Sequence, residues 1–370
     1  MSGRGLPGEP LGERFRQFRA RLEQSNGGGR RRGARRGGSG GPGLVGGEPL
    51  PVPPAQFASY YGRPILKAPV WRHDIPAYLF TGGLAAGSAL LAAGADLTGR
   101  PALRRSGRLV ALGALGASTY FLINDLGRPS RFHHMLRVVK PTSPMSMGTW
   151  ILAVFGPVAG VAAVSEFAPL LPRHGLPGLA GRILPPTGRA AGLAAAVAAP
   201  ALATYTGVLL ADTAMPAWHD AHPDLPFLFA GSALLAGAGA GLVSTPVDQA
   251  GPARRLLVAG AVLEKLAEHR IVRRGLTGEP YRQGPGGRLL RTSRLLLAAG
   301  TAGALLGRRS RVLSALSGAA LLASSVLTRF GVFEAGVASA RDPRYTVVPQ
   351  RERLDRRAST PAGGPAAPGA

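Results

Sequence analysis

The chain contains no cysteine. Disulfides, thiolate metal sites and cysteine-held iron–sulfur clusters are therefore excluded from it. Aromatic residues are sparse, at 6% of 370 residues. Acidic residues are scarce beside basic ones: 19 Asp and Glu face 44 Lys and Arg, a formal charge of +25. The arginines are scattered over many connectors with no interleaved aromatics, which disfavours nucleic acid and favours membrane topology and anionic lipid headgroups. Histidine is missing where a haem would need it. All seven (His73, His133, His134, His174, His219, His222 and His269) fall at the ends of apolar runs or between them. A b-type haem in a helical bundle needs facing axial ligands inside the membrane, so no haem is expected. The runs Arg30–Arg32 and Arg35–Arg36 are followed by Gly, Pro and Ser rather than an apolar region, so no cleavable signal is read there.

What the chain has is long Ala/Leu/Gly/Val runs, nearly free of charge, separated by Arg-rich connectors. A helix needs about 20 residues to span a hydrocarbon core of about 30 Å, and it satisfies its own backbone in lipid. The chain is therefore read as an all-α integral membrane protein with about eight transmembrane helices. The spans are expected near residues 75–95, 107–123, 146–165, 188–210, 227–243, 253–266, 295–306 and 312–328. The seventh is the shortest of the eight. Asp74 and Pro76 form a cap and first-turn pair for the first helix. The run Gly82–Gly87 (GGLAAG) gives that helix a small-residue face for close packing. Pro157 and Pro200 interrupt the third and fourth spans.

Residues 1–70 are rich in Gly, Pro and Arg and offer little to bury, with a more apolar interfacial segment at 57–70. Residues 336–370 are read as a polar tail. Residues 1–72 carry 13 Lys and Arg against 4 Asp and Glu. The connector between the sixth and seventh spans and the C-terminal tail are also basic. With eight spans all three share one side, which the positive-inside rule makes cytoplasmic, with both termini there.

Polar residues gather at span ends. Asp74 and Tyr78 open the first helix, and Asn124, Asp125 and Arg128 close the second. Glu166 closes the third, and Tyr205 and Asp212 flank the end of the fourth. Such residues serve in general as caps, interfacial anchors and headgroup contacts, which is the simpler reading for Glu166 taken alone. Tyr78 and Tyr205 differ, because each sits about a turn inside its span, where its hydroxyl needs a partner. With Asp74 they would line one pocket if the first and fourth helices are neighbours. Ionisable groups at that depth are functional candidates, and phenols beside a carboxylate suit a quinone head group.

The segment Asn124–Phe132 (NDLGRPSRF), continued by Lys140–Trp150 (KPTSPMSMGTW), resembles the NrfD/PsrC family, the membrane subunits of polysulfide reductase-like complexes. Gly82–Gly87 and Tyr205–Leu210 (YTGVLL) share in the resemblance, which covers residues 57–215. It implies two four-helix bundles, at residues 71–215 and 216–335, and no redox metal in this chain. It implies menaquinone or ubiquinone in the first bundle, held by Tyr205 with Asp74 and Tyr78. Some relatives carry Asn and His where Asp74 and Tyr78 stand. Proton transfer falls near Asp125, with Asn124, Arg128, Glu166 and Asp212 as further candidates. Lys140, Pro141, Thr142, Ser143 and Pro144 lie where relatives contact a four-cluster iron–sulfur subunit, which serves a molybdopterin subunit. On these terms the chain exchanges electrons between quinone and its partner and is inactive alone. If the N-terminal tail is cytoplasmic, so is the partner, formate dehydrogenase-like in kind. A secondary transporter or proton conductor, or a plain tether for a soluble enzyme, remain the alternatives. Against the transporter, the second half holds few charges in its spans and no proline pair matching Pro157 and Pro200.

Overall fold

The structure is a computed structural model that describes residues 44–45, 48–49, 65–172 and 174–359. The expectations for residues 1–64 and for the end of the C-terminal tail fall outside these, apart from one short ladder. In it Leu44–Val45 and Glu48–Pro49 pair antiparallel, within a unit of their own.

Among the described residues, eight helices of 20 residues or more form the body. They are α1 (Asp74–Leu97), α2 (Pro101–Asn124), α3 (Pro144–Val164) and α4 (Gly175–Ala211), then α5 (Leu225–Ser244), α6 (Gly251–Val272), α7 (Gly284–Leu306) and α8 (Arg311–Arg341). Seven are long and apolar enough to cross a membrane, which makes the protein an all-α membrane protein. The exception is α6, whose composition is diluted by Arg254, Arg255, Glu264, Lys265 and Glu268. The doubtful helix is thus the sixth. The seventh reaches 23 residues, because Arg288, Arg291 and Arg294 lie inside its first half, where the sequence reading had placed a connector.

Long-range contacts show that α6 runs between the same two faces as the others. At one end Ala253 packs beside Gly241 of α5, and further along Gly260 and Glu264 pack beside Gly231. Just past α6, Arg274 donates to the Asp220 carbonyl at 2.7 Å, and the Tyr281 hydroxyl donates to the Ala217 carbonyl at 3.0 Å. The short helix Pro216–Asp220 that receives these bonds also buries Trp218. Trp218 stacks on Trp71, which precedes α1, and its indole N–H donates to Val332 of α8 at 2.7 Å. The start of α1, the end of α4, the α6–α7 connector and the end of α8 therefore share one face, here the near face. On the far face Arg100 donates to the Asp248 carbonyl at 2.7 Å, and the Ala102 amide donates to Gln249 at 2.9 Å. These bonds join the α1–α2 and α5–α6 connectors.

Helices α1 and α5 lie at the centre. Within the first half α1 packs on α2 and α4, and α3 packs on α4 and α2. Among α5–α8 the same neighbour pattern recurs, and α1 against α5 joins the two sets. The join is close because both helices present glycine: a Cβ on Gly87 would lie 1.9 Å from the Ala233 carbonyl oxygen. Small residues permit this approach where lipid supplies no hydrophobic drive between helices. Outward faces carry Val and Leu, such as Val197 at 83% exposed and Leu295 at 73%, as a lipid-facing band requires.

Several expectations are corrected. Asp74 is the first helical residue of α1, not its cap; His73 precedes it without a side-chain bond. The fourth helix starts at Gly175, not 188, and its 37 residues extend through Pro185, Pro186 and Pro200. At about 1.5 Å per residue it is about 55 Å long, well beyond the hydrocarbon core. The eighth, expected to end at residue 328, runs to Arg341 because Arg329 lies buried in protein rather than at an exposed span end. The tail then forms a further helix, α9 (Arg344–Ser359). Pro157 likewise sits within an unbroken α3.

Candidate functional site

Near the near face, the ends of α1, α2 and α4 bring together five of the residues singled out above. With the cap role absent, the Asp74 carboxylate accepts a hydrogen bond from Asn124 Nδ2 at 3.1 Å, tying the start of α1 to the end of α2. Asp125 follows Asn124 at the α2 terminus. Burial holds its proton on above the usual aspartate range; the nearby Asp74 charge adds to this, and Arg72 opposes it. One turn into α1, Tyr78 is buried against Tyr205 of α4, their rings edge to face with centroids 6.5 Å apart at 70°. The edge-to-face geometry adds packing specificity while leaving each phenol oxygen at a ring end.

Gly148 of α3 makes room for this pair. A Cβ there would lie 2.3 Å from Cε2 of Tyr205, so the third helix fixes the tyrosine by lacking a side chain. Ser118 of α2 reaches the Tyr78 carbonyl at 3.4 Å. Gly148 and Ser118 were not singled out from sequence. Gly148 lies within the segment Ser146–Trp150, where its motif was visible and its partner was not.

The other candidates are placed apart. Arg128 is exposed at the start of the α2–α3 connector, which continues as a 3₁₀ turn over Pro129–Leu136. Lys140, Pro141 and Thr142 are exposed, while Ser143 and Pro144 start α3 and are half-buried. This connector is latched: the Lys140 amide donates to Ser146 Oγ at 3.0 Å, and that hydroxyl donates to the Val138 carbonyl at 3.1 Å. Asp212 is exposed just beyond α4 and borders a cavity of about 450 Å³, lined also by His219, Asp220, Tyr345 and Arg353.

Glu166 lies at the opposite membrane face from Tyr78 and Tyr205. It is buried and accepts from Arg104 Nε at 2.8 Å and from Arg108 Nη1 at 2.9 Å. Asp96 completes the knot, 3.3 Å from Arg104, 3.8 Å from Arg108 and 3.4 Å from Arg189. A cavity of about 440 Å³ opens there. Asp96, Arg108 and Arg189 were not predicted; an arginine repeated at i and i+4 with acids ending two other helices is their only sequence signal. Among the described residues no cluster of His, Asp and Glu could hold a metal ion.

Fold and site together define a multi-pass membrane protein with a hydroxyl- and carboxyl-lined cluster at the mouth of its first four helices. The chain belongs to the polysulphide reductase NrfD family, whose model matches residues 65–252, just over half of its length. That family comprises membrane subunits of quinone-linked reductase complexes. The match runs past residue 215, where the resemblance ended, through α5 to the start of α6. No curated protein matches the chain.

Proposed function

We infer that the chain is the quinone-reactive membrane anchor of a multisubunit oxidoreductase, exchanging electrons between the quinone pool and an iron–sulfur subunit. The observation carrying this reading is the convergence of Tyr78 and Tyr205, edge to face at 6.5 Å, on a mouth held by the Asp74–Asn124 bond. Such a donor set fits a quinone head group, which presents two carbonyl acceptors and takes up protons on reduction. When bound, menaquinone or ubiquinone supplies the two-electron, two-proton chemistry that no residue of this chain can perform.

The protein's share is binding and proton handling. Tyr78 and Tyr205 hold the head group through their hydroxyls. Asp125, keeping its proton above the usual aspartate range, serves as the acid nearest the aqueous face, with Asn124 and Arg128 beside it in sequence. Asp212 stands at the end of the same helix as Tyr205 and takes the same role at the α4 side. Glu166 is reassigned from proton transfer to the far-face ion knot.

Helices α1–α4 form the redox bundle and α5–α8 the second bundle. Docking of the iron–sulfur subunit falls to the connector ending Lys140–Pro144, whose exposed Phe132, Leu136, Val138 and Val139 sit among Arg131, Arg137 and Lys140. An apolar surface ringed by cations suits a partner with an acidic rim. A molybdopterin subunit lies beyond that partner. The near face is cytoplasmic in this reading, since the basic α6–α7 connector (Arg273, Arg274 and Arg282) and the Arg-rich helix α9 follow span ends on that face.

The test is quinol-linked turnover in the assembled membrane complex. Tyr205→Phe and Asp74→Asn should each lower it by about tenfold or more, the scale of a lost positioned donor or acid, while the partner subunits still co-purify. Full turnover in both variants would overturn the pocket.

A further inference from the structure

The second half holds few charges in its spans, yet two ionisable side chains are buried inside it. Glu264 of α6 is 3% exposed and Arg329 of α8 is fully buried. One carboxylate oxygen of Glu264 accepts from Thr328 Oγ1 at 3.1 Å, and the other is buried without a partner. Arg329 donates from Nη2 to the Phe229 carbonyl at 2.7 Å and stacks 3.9 Å over the Phe229 ring. Its Nε and Nη1 have no partner. Among the described ion pairs, none joins the two. Charges left this way in a low-dielectric interior oppose folding, so stability does not explain them, and inside a membrane such residues mark proton or ion paths.

Glu264 is connected in two directions. One turn along α6, toward its near-face end, Glu268 is held by Arg294 at 2.7 Å and Lys265 at 3.0 Å, both partly exposed. Away from that face a chain of buried hydroxyls begins at Thr328. It continues to Ser293 of α7 at 2.8 Å and to Ser324 of α8 at 3.0 Å. The next inward residue on that stripe is Leu321, fully buried, which interrupts the chain. The charged groups facing Glu264 are therefore Glu268 and Lys265 on its own helix, Arg329 on α8 and Arg294 on α7; α5 carries no charged residue.

Arg329 also touches the first half. A Cβ on Gly83 of α1 would lie 2.7 Å from its Nη2. Gly83 is five residues past Tyr78, about 7.5 Å along the helix axis. The guanidinium thus stands between the helix of the tyrosine pair and Glu264.

We propose that Glu264 is an intramembrane proton-binding site, loaded from the near face by way of Glu268 and closed toward the far face at Leu321, with Arg329 as its electrostatic link to α1. The step is a protonation alone: the Glu264 carboxylate takes H⁺ from near-face water through the Glu268 end and becomes a carboxylic acid, and release reverses it. No electron or other bond is exchanged. The site lies outside the tyrosine pocket and is tested without turnover, so the failure of either reading leaves the other standing.

The test is infrared difference spectroscopy of the purified protein in lipid, following the carboxylic-acid C=O stretch through a pH titration and after transfer to D₂O. The expected result is a band that is lost in Glu264→Gln, shifts on deuteration, and exchanges at least about tenfold more slowly in Glu268→Gln, the scale of a lost proton relay. Thr328→Val, which removes the one donor to Glu264, should move the band, and it serves if Glu264→Gln does not fold. A band that survives Glu264→Gln, ignores Thr328→Val, or fails to exchange with D₂O would overturn the proposal.

Discussion

Gly87 of α1 and Gly237 of α5 meet backbone to backbone. A Cβ on Gly237 would lie 2.3 Å from the Gly87 carbonyl carbon, and one on Gly87 1.9 Å from the Ala233 oxygen. The obstruction is backbone on both sides, so no rotamer change can relieve it. Gly87→Ala should therefore destabilise the protein by about 1–3 kcal/mol, the cost of overpacking a close-packed core. Gly113→Ala, whose Cβ meets nothing within 4 Å, should be close to neutral. Thermal unfolding of the two variants in detergent checks the contrast.

Gly148 controls the proposed pocket from a third helix. Gly148→Ala places a methyl group 2.3 Å from the Tyr205 ring and must move the tyrosine without removing its hydroxyl. Quinol-linked turnover should fall about tenfold, on the scale that small misplacement of a positioned group produces, with helicity and partner assembly retained. Turnover equal to the parent protein would mean that the position of Tyr205 does not matter.

Asp125 gives a pH signature. Its proton is held above the usual value of 3.8 by burial and by Asp74. A carboxyl whose pKa is raised on folding adds stability below the unfolded value, and that stability is lost as pH rises through the raised value. Asp125→Asn should thus be relatively more stable than the parent near neutrality and lose that advantage toward pH 3.8. Unfolding temperatures measured across that window test the sign. Turnover of the parent should likewise fall as Asp125 ionises, a limb that Asp125→Asn abolishes.

The far-face knot should behave as structure. Arg108 is buried with Glu166 at 2.9 Å and Asp96 at 3.8 Å, so Glu166→Ala leaves its guanidinium with only Ser165 at 3.2 Å and the longer contact to Asp96. Removing one partner of a buried pair costs about 3–5 kcal/mol, whereas replacing both with apolar residues is often neutral. The double change Arg108→Met with Glu166→Met should recover most of the lost unfolding temperature. Turnover per folded molecule should stay within about twofold of the parent in both, since uniform structural losses do not alter transition-state binding.

Much of the fold was legible because charge-free runs of membrane length leave few alternatives. The GGLAAG run announced a tight crossing, although not that its partner would be Gly237 of α5. Tyr78 and Tyr205 were legible as a pair because each phenol sits a turn inside an apolar helix. What escaped reading was charge hidden by tertiary burial. Arg329 reads locally as the end of a span, and only the packing of Phe229 and Gly83 around it reveals an interior position. Glu264 and Lys265 read as the frayed end of a short sixth helix for the same reason. Glu166 was legible as a polar span end, while its true neighbours Asp96 and Arg108 depend on how three helices meet at the far face.

Trp218, stacked between Trp71 and the end of α8, has a practical consequence. The described chain enters and leaves the helical body beside one another on the face proposed to receive the redox partner. The short turn at Thr98–Arg100 lies on the far face, so an epitope placed there would point away from that partner and leave it free to assemble.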